Sequence, residues 1–340
     1  MTDKTFIIIT VDVEDFFLPR PRTDMIFARI GNEYYGIPKI MDIMDNHNVK
    51  GTFFVDVYNR ETLSEAVIKE ACQEIDRRGH EVALHVHPQI PRGKRGYRIE
   101  QVISRYELEE QIKIIERGRE LLDRWMGRSP RAHRAGGYGA SYDTLRALGK
   151  CNLLIDSSMF YGHDMCGLNE PLLTINAPKT WNQILEIPIT VTLNQYMLGF
   201  LKCKFKVFEL YKKVDLGWSD LKELKVQIWE LRKMGINPII VFLHSYSFVD
   251  VRGSFGPNRR IENNFQELVQ WMRTLETTEI LTMGKFYDIH NDGNFLSSNQ
   301  VPILTSLVND FELGDIFQIV RNLHPSHLRI ISKFLQRRLM

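Results

Sequence analysis

Short apolar runs alternate with longer amphipathic runs along most of the chain. Runs rich in β-branched and aromatic residues are typical of buried strands, and apolar residues at helical spacing predict amphipathic helices between them. The predicted strands cover residues 6–13, 51–55, 81–87, 131–134, 153–156, 185–191 and 238–244. The predicted helices cover residues 37–47, 62–78, 99–125, 141–148, 219–234 and 264–275.

This alternation of strand and helix predicts an α/β fold with a parallel sheet. About seven such units within the first 290 residues favour a distorted (β/α)7-type barrel over an open sheet. The alternation is irregular over residues 151–213, where we expect insertions. Two helix starts are predicted from their caps: a capping box of Thr62 and Glu65, and a cap at Ser219.

A polar stretch at residues 291–294 predicts a domain boundary, with the α/β domain at 1–290 and a helical C-terminal extension at 291–340. The extension carries apolar residues at helical spacing, including Leu304, Leu307 and Val308, and ends in a basic helix over residues 328–340. We expect the extension to pack on the barrel or on a partner subunit. In the second case it would form a homo-oligomer contact. A membrane-surface or protein-docking helix is the alternative.

Composition narrows the class of protein. The chain has 44 basic and 42 acidic residues, so it lacks the basic surplus of a nucleic-acid binder. Its four cysteines form no CxxC pair, which favours free, mostly buried thiols in a reducing compartment. The apolar run at residues 6–11 is short for a signal peptide, and no run approaches the ~20 apolar residues of a membrane span. We therefore expect a cytoplasmic protein without a transmembrane segment or a nucleic-acid partner.

The first predicted strand ends in three carboxylates, Asp12, Glu14 and Asp15. Side chains two residues apart on a strand share a face, so Asp12 and Glu14 can converge on one point. Carboxylates this close repel one another unless a cation lies between them. The cluster therefore indicates a metal site, with a solvated acidic turn as the alternative.

The third predicted strand ends in His85-Val86-His87. This spacing places both imidazoles on one face, where they can chelate one metal ion through nitrogen. The carboxyl ends of parallel strands gather at one edge of the sheet, so these histidines should meet the carboxylates. A pair of ordinary surface histidines is the alternative, and His80, before the strand, is expected to be structural.

Two later strand ends add further candidates. Arg134 can orient a carboxylate by a forked hydrogen bond. The glycines before and after Tyr138 allow backbone amides to point at a developing oxyanion, although a turn without chemical importance is the alternative. His244, which ends the strand at 238–244, is a candidate general acid, although a lone histidine is more often part of a core. Asp156, which closes another strand, could hold His244 in the required tautomer.

The clusters in this order resemble the motifs of the polysaccharide deacetylases, the NodB-homology or carbohydrate esterase family four group. The likeness runs from Phe6 to about Ile289 and is closest to the branch with peptidoglycan-deacetylase-like and allantoinase-like members. The five motifs lie at residues 10–15, 79–88, 134–138, 156–158 and 242–244, and residues 51–55 and 186–190 resemble strands of the family. The resemblance implies a metal-dependent carbohydrate deacetylase.

The resemblance also implies a role for each candidate. Asp12 would be the catalytic base, oriented by Arg134, and His244 would protonate the departing amine, oriented by Asp156. A backbone amide near Tyr138 would stabilise the oxyanion. The metal would be held by Glu14, His85 and His87, with Asp15 as the alternative carboxylate ligand. Zn²⁺ is the first choice because two ligands are nitrogen, with iron, cobalt, manganese and nickel as alternatives.

Three positions depart from the family pattern. The usual adjacent pair of aspartates is replaced by an acid–x–acid–acid pattern, which keeps Asp15 open as a ligand. The usual second histidine, four residues after His85, is Gln89, so His87 must be the second nitrogen ligand. Gly136 stands where many members have proline, which leaves the oxyanion contribution of this turn open.

The sequence therefore predicts a hydrolase that removes an N-acetyl or related acyl group from a sugar or glycan precursor, in surface polysaccharide or cell-envelope biosynthesis. One alternative is hydrolysis of a non-sugar C–N amide bond, as in the allantoinase-like relatives. The other is a catalytically degenerate module that only binds a glycan or a partner.

Overall fold

The computed structural model describes residues 4–15, 24–61, 63–88, 102–200, 203–292 and 297–308. The chain divides into two compact units, one formed by Met1–Val191 with Lys213–Pro302 and the other by Thr192–Lys212 with Ile303–Met340. The boundary predicted from composition at residue 291 stays a prediction.

The strands are β1 (Thr5–Val13), β2 (Arg29–Ile30), β3 (Glu33–Tyr34), β4 (Thr52–Asp56), β5 (Glu81–Val86), β6 (Ala132–Ala135), β7 (Ile155–Asp156), β8 (Lys179–Trp181), β9 (Ile184–Glu186), β10 (Val191–Phe200), β11 (Cys203–Asp215), β12 (Ile239–His244), β13 (Thr278–Ile280) and β14 (Ile303–Val308). The α-helices are α1 (Ile37–Asn46), α2 (Glu65–Arg77), α3 (Leu108–Met126), α4 (Tyr142–Lys150), α5 (Leu221–Lys233), α6 (Arg259–Thr274) and α7 (Met283–Asn291).

The first unit is built around seven parallel strands in the order β12-β1-β4-β5-β6-β7-β9. The chain after β9 returns to β12 in two ways: β11 pairs with β12 in parallel, with Val214 opposite Val241, and the Ile240 amide donates to Thr190 Oγ1 at 2.8 Å. The same Thr190 hydroxyl donates to the Pro238 carbonyl at 3.4 Å. The predicted distorted (β/α)7-type barrel is therefore confirmed.

The strands at the centre of this barrel are buried on both faces, as their continuous apolar sequences predict. Every residue of β1 after Thr5 is buried, and Ile7, Ile8 and Ile9 have no exposed surface. The surrounding helices bury one apolar stripe each, as in α1, where Ile37, Ile40 and Met44 face the core. The barrel edge that carries the polar strand ends is thereby attached to a rigid core.

Several helix boundaries differ from the predictions. Helix α2 begins at Glu65 with Ser64 as its cap, and Thr62 lies outside the described residues. Helix α5 is capped by Asp220 instead of Ser219, because the Asp220 carboxylate accepts from the Glu223 amide at 2.8 Å. Helix α3 begins at Leu108, later than predicted, and α6 at Arg259, earlier. These shifts of the helix boundaries arise because neighbouring polar residues compete to cap the same helix, and tertiary contacts decide between them.

In the second unit, β10 and β14 pair in parallel, from Leu193 opposite Ile303 to Leu198 opposite Val308. Strand β14 corrects the prediction that Leu304, Leu307 and Val308 belong to a helical tail. A short apolar run cannot be assigned to helix or strand by spacing alone, and here a neighbouring strand decides it. Residues 309–340, with the predicted basic helix, lie outside the described residues, so that helix stays a prediction.

Two further expectations concern the whole chain. Cys72, Cys151 and Cys166 are free thiols, and the first two are buried, as predicted. Among the residues that the structure describes, no helix is both long and apolar enough to cross a membrane.

Candidate metal centre

The carboxyl ends of β1, β4, β5 and β12 meet at one edge of the barrel. The strand register places Asp12 opposite His244 and Asp56 opposite His85. Residues that are far apart in sequence are therefore neighbours because of the parallel pairing alone. The edge predicted to carry the chemistry is where the ionisable side chains collect.

Glu14, His85 and His87 form a buried cluster with the geometry of a metal site. One ligand atom from each lies within 4.8 Å of the other two. The distance from Glu14 Oε2 is 3.0 Å to His87 Nε2 and 3.5 Å to His85 Nε2. Two imidazole nitrogens and one carboxylate oxygen are the donor set of many catalytic zinc sites.

The hydrogen bond on the far side of the His85 ring shows that this cluster fits a cation. His85 Nδ1 lies 2.9 Å from the Arg134 carbonyl oxygen, and because a carbonyl only accepts, Nδ1 carries a hydrogen. In the neutral ring, Nε2 then presents a lone pair towards Glu14 Oε2. Two buried lone pairs that face each other are unfavourable unless a proton or a metal ion lies between them. A carbonyl that fixes the tautomer in this way is the usual support of a metal-bound histidine.

Electrostatic coupling in the cluster supports the same conclusion. Burial by itself raises the pKa of Glu14, but hydrogen bonds and charge from His85 and His87 hold it well below its usual range. Burial by itself lowers the pKa of His85, but the carboxylates of Asp12 and Glu14 raise it to about 9. The negative potential that stabilises a proton here would also stabilise a metal cation.

Gly136 provides the space that the His87 ring occupies. A Cβ atom built at Gly136 would overlap Cγ, Nδ1 and Cε1 of His87. The position where the family often has proline therefore lies against His87, the residue predicted to replace the usual second histidine ligand. The two departures from the family pattern are linked by direct contact.

The positions of Glu14 and Asp15 distinguish the two candidate carboxylate ligands. Asp15 is half-buried and does not belong to the metal-site group found among the described residues. Glu14 is buried, and its Oε1 accepts from the Tyr246 hydroxyl at 3.3 Å and lies 3.5 Å from His244 Nε2. The geometry thus favours Glu14 as the carboxylate ligand.

Arg134 holds Asp12 from inside the barrel, as predicted from the resemblance. Its Nη1 donates to Asp12 Oδ1 at 2.7 Å and to Thr10 Oγ1 at 3.2 Å. Its Nε and Nη2 donate to the carbonyl and hydroxyl of Ser157 at 3.0 and 3.1 Å. The other oxygen of Asp12 lies 3.9 Å from His85 Nε2. One carboxylate oxygen is therefore fixed by the arginine, and the other is beside the metal-ligand atoms.

Asp156 does not orient His244, which corrects the prediction. Its Oδ1 accepts from His133 Nδ1 at 2.7 Å and from the Ser158 hydroxyl at 2.8 Å. The reason is the strand order: β7 pairs with β6, which places Asp156 opposite His133 and away from β12. Ser158 Oγ in turn accepts from the Ala135 amide at 2.9 Å, so this network supports the backbone next to Arg134.

His244 lies at the rim of the cluster. Its side chain is 28% exposed, and its ring stacks on Tyr246 with 4.8 Å between centroids. Burial lowers the pKa of His244; the carboxylate of Glu14 opposes this shift and the ammonium of Lys213 adds to it. The ring therefore reaches both the proposed ligand and the solvent side of the site.

Three buried ionisable residues at this edge were missed by the sequence analysis. Burial raises the pKa of Asp56 to about 6, although His87 and His85 oppose the shift. Lys213 and Asp215 form a buried ion pair at 3.0 Å. Asp56 directly follows a predicted strand, so the rule that found Asp12 could also have found it. Lys213 and Asp215 belong to a strand that the irregular pattern around residues 151–213 did not reveal.

The fold and the site together describe one class of protein: an α/β barrel of parallel strands with a carboxylate–histidine cluster at its carboxyl edge. Residues 31–153 match the family model described as polysaccharide deacetylase. The matched part contains His85, His87, Arg134 and Tyr138, so the resemblance indicated by the ordered motifs is confirmed. No curated protein gives a significant match to the sequence.

Two solved structures share the fold. One is a provisionally assigned polysaccharide deacetylase from Mycobacterium smegmatis, with a TM-score of 0.56 and 16% identity over 88% of this chain and 95% of that one. The other is the allantoinase Puue, with a TM-score of 0.54 and 10% identity over 86% of this chain and 92% of that one. At these identities the likeness shows the fold, which agrees with the barrel described above.

Proposed function

We propose that this protein is a metal-dependent hydrolase that removes an N-acetyl or related acyl group from a sugar or glycan precursor. The observation that carries the proposal is the convergence of Glu14, His85 and His87 beside Asp12. The match to the polysaccharide deacetylase model supports carbohydrate deacetylation as the reaction. We further propose a cytoplasmic precursor of surface polysaccharide or cell envelope as the substrate.

Glu14, His85 and His87 are the residues that would hold the metal, with Zn²⁺ as the first choice because two of the three donors are nitrogen. When bound, such an ion lowers the pKa of a coordinated water towards ~7 and polarises an acyl carbonyl. His85 is prepared for this role by its bond to the Arg134 carbonyl, which leaves Nε2 for the metal. The His87 ring fits beside Gly136 because glycine has no side chain.

Asp12 is the proposed base. Its Oδ1 is held by Arg134 at 2.7 Å, so the carboxylate cannot rotate freely, and its Oδ2 lies 3.9 Å from His85 Nε2. A carboxylate in this position can accept the proton of a water that attacks next to the ligand cluster. The guanidinium fixes the orientation of the base, which is the positioning that efficient proton transfer requires.

His244 is the proposed acid, and its Nε2 lies 3.5 Å from Glu14 Oε1. A lowered pKa makes the protonated ring a strong donor to a departing amine. We further propose that a backbone amide near Tyr138 stabilises the oxyanion of the addition step. Base, acid and oxyanion donor would then each come from a different strand end.

The test combines metal analysis with a substrate panel. Purified protein should contain, or take up from added Zn²⁺, about one metal ion per chain, and it should release acetate from acetylated sugars. Asp12→Asn should lower turnover by about 10²- to 10⁴-fold while metal content stays the same. Glu14→Gln should lose metal, and Asp15→Asn is the matched control that should keep it.

Each result has a counterpart that would contradict the proposal. Protein that neither contains metal nor acquires it would support a degenerate binding module instead. Loss of metal from Asp12→Asn, with metal retained in Glu14→Gln, would exchange the roles of base and ligand. Hydrolysis restricted to small non-sugar amides would replace the sugar substrate with the allantoinase-like alternative.

A further inference from the structure

A buried lysine lies beside Tyr138 at the same edge of the barrel. Lys213 is 3% exposed, and its Nζ donates to the Tyr138 hydroxyl at 2.7 Å. It also pairs with Asp215 at 3.0 Å and lies 3.3 Å from the centroid of the Phe242 ring. The ammonium is thus surrounded by a hydroxyl, a carboxylate and an aromatic face of the protein itself. Lys213 therefore acts on its protein neighbours.

The Tyr138 hydroxyl, in contrast, still has a hydrogen to donate. Its oxygen accepts from Lys213, and among the described residues no acceptor is found for its own hydrogen. Burial raises the pKa of Tyr138 well above its ordinary value, and the negative charges of Asp12 and Glu14 add to the shift. The hydroxyl thus stays protonated. Measured between centroids, the Tyr138 ring lies 6.2 Å from the Phe242 ring, which lies 4.8 Å from the ring of His244, the proposed acid.

The backbone is strained to put the ring in this place. Tyr138 has a φ of 58°, in the left-handed region that bulky residues rarely adopt, and it follows Gly137 with a φ of 56°. The ring is enclosed by Phe160 and His163, with centroid distances of 5.1 and 5.3 Å. Strain of this kind persists where the surrounding structure holds it, and it concentrates at functional sites.

We propose that the Tyr138 hydroxyl donates a hydrogen bond to the acyl oxygen of the substrate, and that Lys213 is a positioning residue that holds and polarises this hydroxyl. The proposal deepens the proposed function and rests on it for the identity of the acyl group. The donor in this proposal is the side-chain hydroxyl of Tyr138, in addition to the backbone amide near Tyr138 that is part of the proposed function. A hydroxyl that accepts from an ammonium is a stronger donor, because successive hydrogen bonds polarise one another. Preorganised donors aimed at a developing oxyanion are a main source of catalysis in acyl transfer.

Binding of acetohydroxamate, a small acyl analogue with a metal-binding oxygen pair, tests this without turnover. Calorimetry on the Zn²⁺-loaded protein should show that Tyr138→Phe weakens binding about tenfold, the usual effect of one lost hydrogen bond, with metal content unchanged. Lys213→Met combined with Asp215→Asn should weaken it in the same direction, because the hydroxyl loses its support without leaving a charge unpaired. Lys213→Arg keeps a cation at this position, so it should bind acetohydroxamate more tightly than the double variant does.

Tyr142→Phe is the matched control, because the Tyr142 hydroxyl donates to the Asn169 carbonyl at 2.7 Å and has no contact with the cluster. Equal affinity of wild type and Tyr138→Phe would overturn the proposal, as would a wild type that binds zinc but no acetohydroxamate. In turnover, Tyr138→Phe should lower kcat more than it raises KM, because the bond to the acyl oxygen strengthens as an oxyanion develops. A tenfold loss of acetohydroxamate affinity in a protein that hydrolyses no acetylated sugar would refute the proposed function and still support this role of Tyr138.

Discussion

The His87 ring occupies the space that any side chain at position 136 would need. Gly136 follows strand β6 and His87 follows β5, and these strands are neighbours in the sheet. A Cβ at position 136 would overlap the imidazole. The position of the His87 ring is therefore compatible only with glycine at this point of the turn. If His87 is the second nitrogen ligand, as proposed, glycine at position 136 is required for that role.

We expect Gly136→Ala to reduce metal affinity roughly 10- to 100-fold, the range seen when the support of a metal ligand is disturbed. The added methyl group would push His87 away from Glu14 Oε2. Competition with a chromophoric chelator measures the affinity. Gly139→Ala is the control. Gly139 lies in the same turn as Gly136, but a Cβ at this position would meet the Val102 side chain and not His87. Equal losses in both variants would show that the turn as a whole, and not the contact with His87, decides affinity.

At the scale of elements, the barrel depends on how its first and last strands meet. Strands β12, β1, β4, β5, β6, β7 and β9 are joined by parallel ladders, whereas the chain after β9 reaches β12 through a short pairing with the end of β11 and through Thr190. Thr190 is fully buried, so the Ile240 amide that it accepts from has no water to replace it. A threonine hydroxyl can bond in both directions at once, which suits a junction where the ladder is interrupted.

Thr190→Val should lower the free energy of unfolding by about 1–3 kcal/mol, because it leaves the buried Ile240 amide without an acceptor while it keeps the shape of the side chain. Urea denaturation of the two proteins measures the difference. Thr274→Val removes an exposed hydroxyl that donates to the Trp271 carbonyl, and it should change stability by no more than about 0.5 kcal/mol. A similar small effect at position 190 would argue that the barrel does not depend on this junction.

At the scale of the whole molecule, one buried histidine makes the fold sensitive to acid. His80 precedes β5, at the end of the strand away from the metal cluster, and its Nδ1 accepts from the Gly51 amide at 3.2 Å. Burial lowers the pKa of His80 to about 4, although Asp45 opposes the shift. His80 was expected to be structural, and this hydrogen bond requires its neutral ring.

The direction of the pH effect follows from this lowered pKa. Above pH ~6.5 the ring is neutral in both folded and unfolded chains, and the contribution to stability is complete. As the pH falls from ~6.5 to ~4, the unfolded chain takes up the proton first, so stability is lost. We expect the metal-free protein to lose about 2 kcal/mol more than His80→Gln between pH 7 and pH 4.5, measured by urea unfolding. Parallel curves for the two proteins would contradict this account.

Prediction from the sequence succeeded where the pattern is local or follows from parallel pairing. Continuous apolar runs identified β1 and β12, and the strand-end rule placed Asp12, Glu14, His85 and His244 at one edge. It failed where two explanations fit the same letters. Asp156 could have supported His244 or His133, and the spacing of Leu304 and Leu307 fits helix and strand alike. These alternatives differ only in which strand lies next to which.

By itself, the sequence determined the α/β class, the order of the polar strand ends and the residue types at the site, because hydrophobic periodicity and ionisable side chains are properties of short segments. Only the tertiary structure decided which groups touch. It placed Gly136 against His87, Asp156 against His133, and Lys213 against Tyr138. Each of these contacts joins residues from different strands or the turns that follow them, and a contact of that kind depends on strand order and register, which no single segment contains.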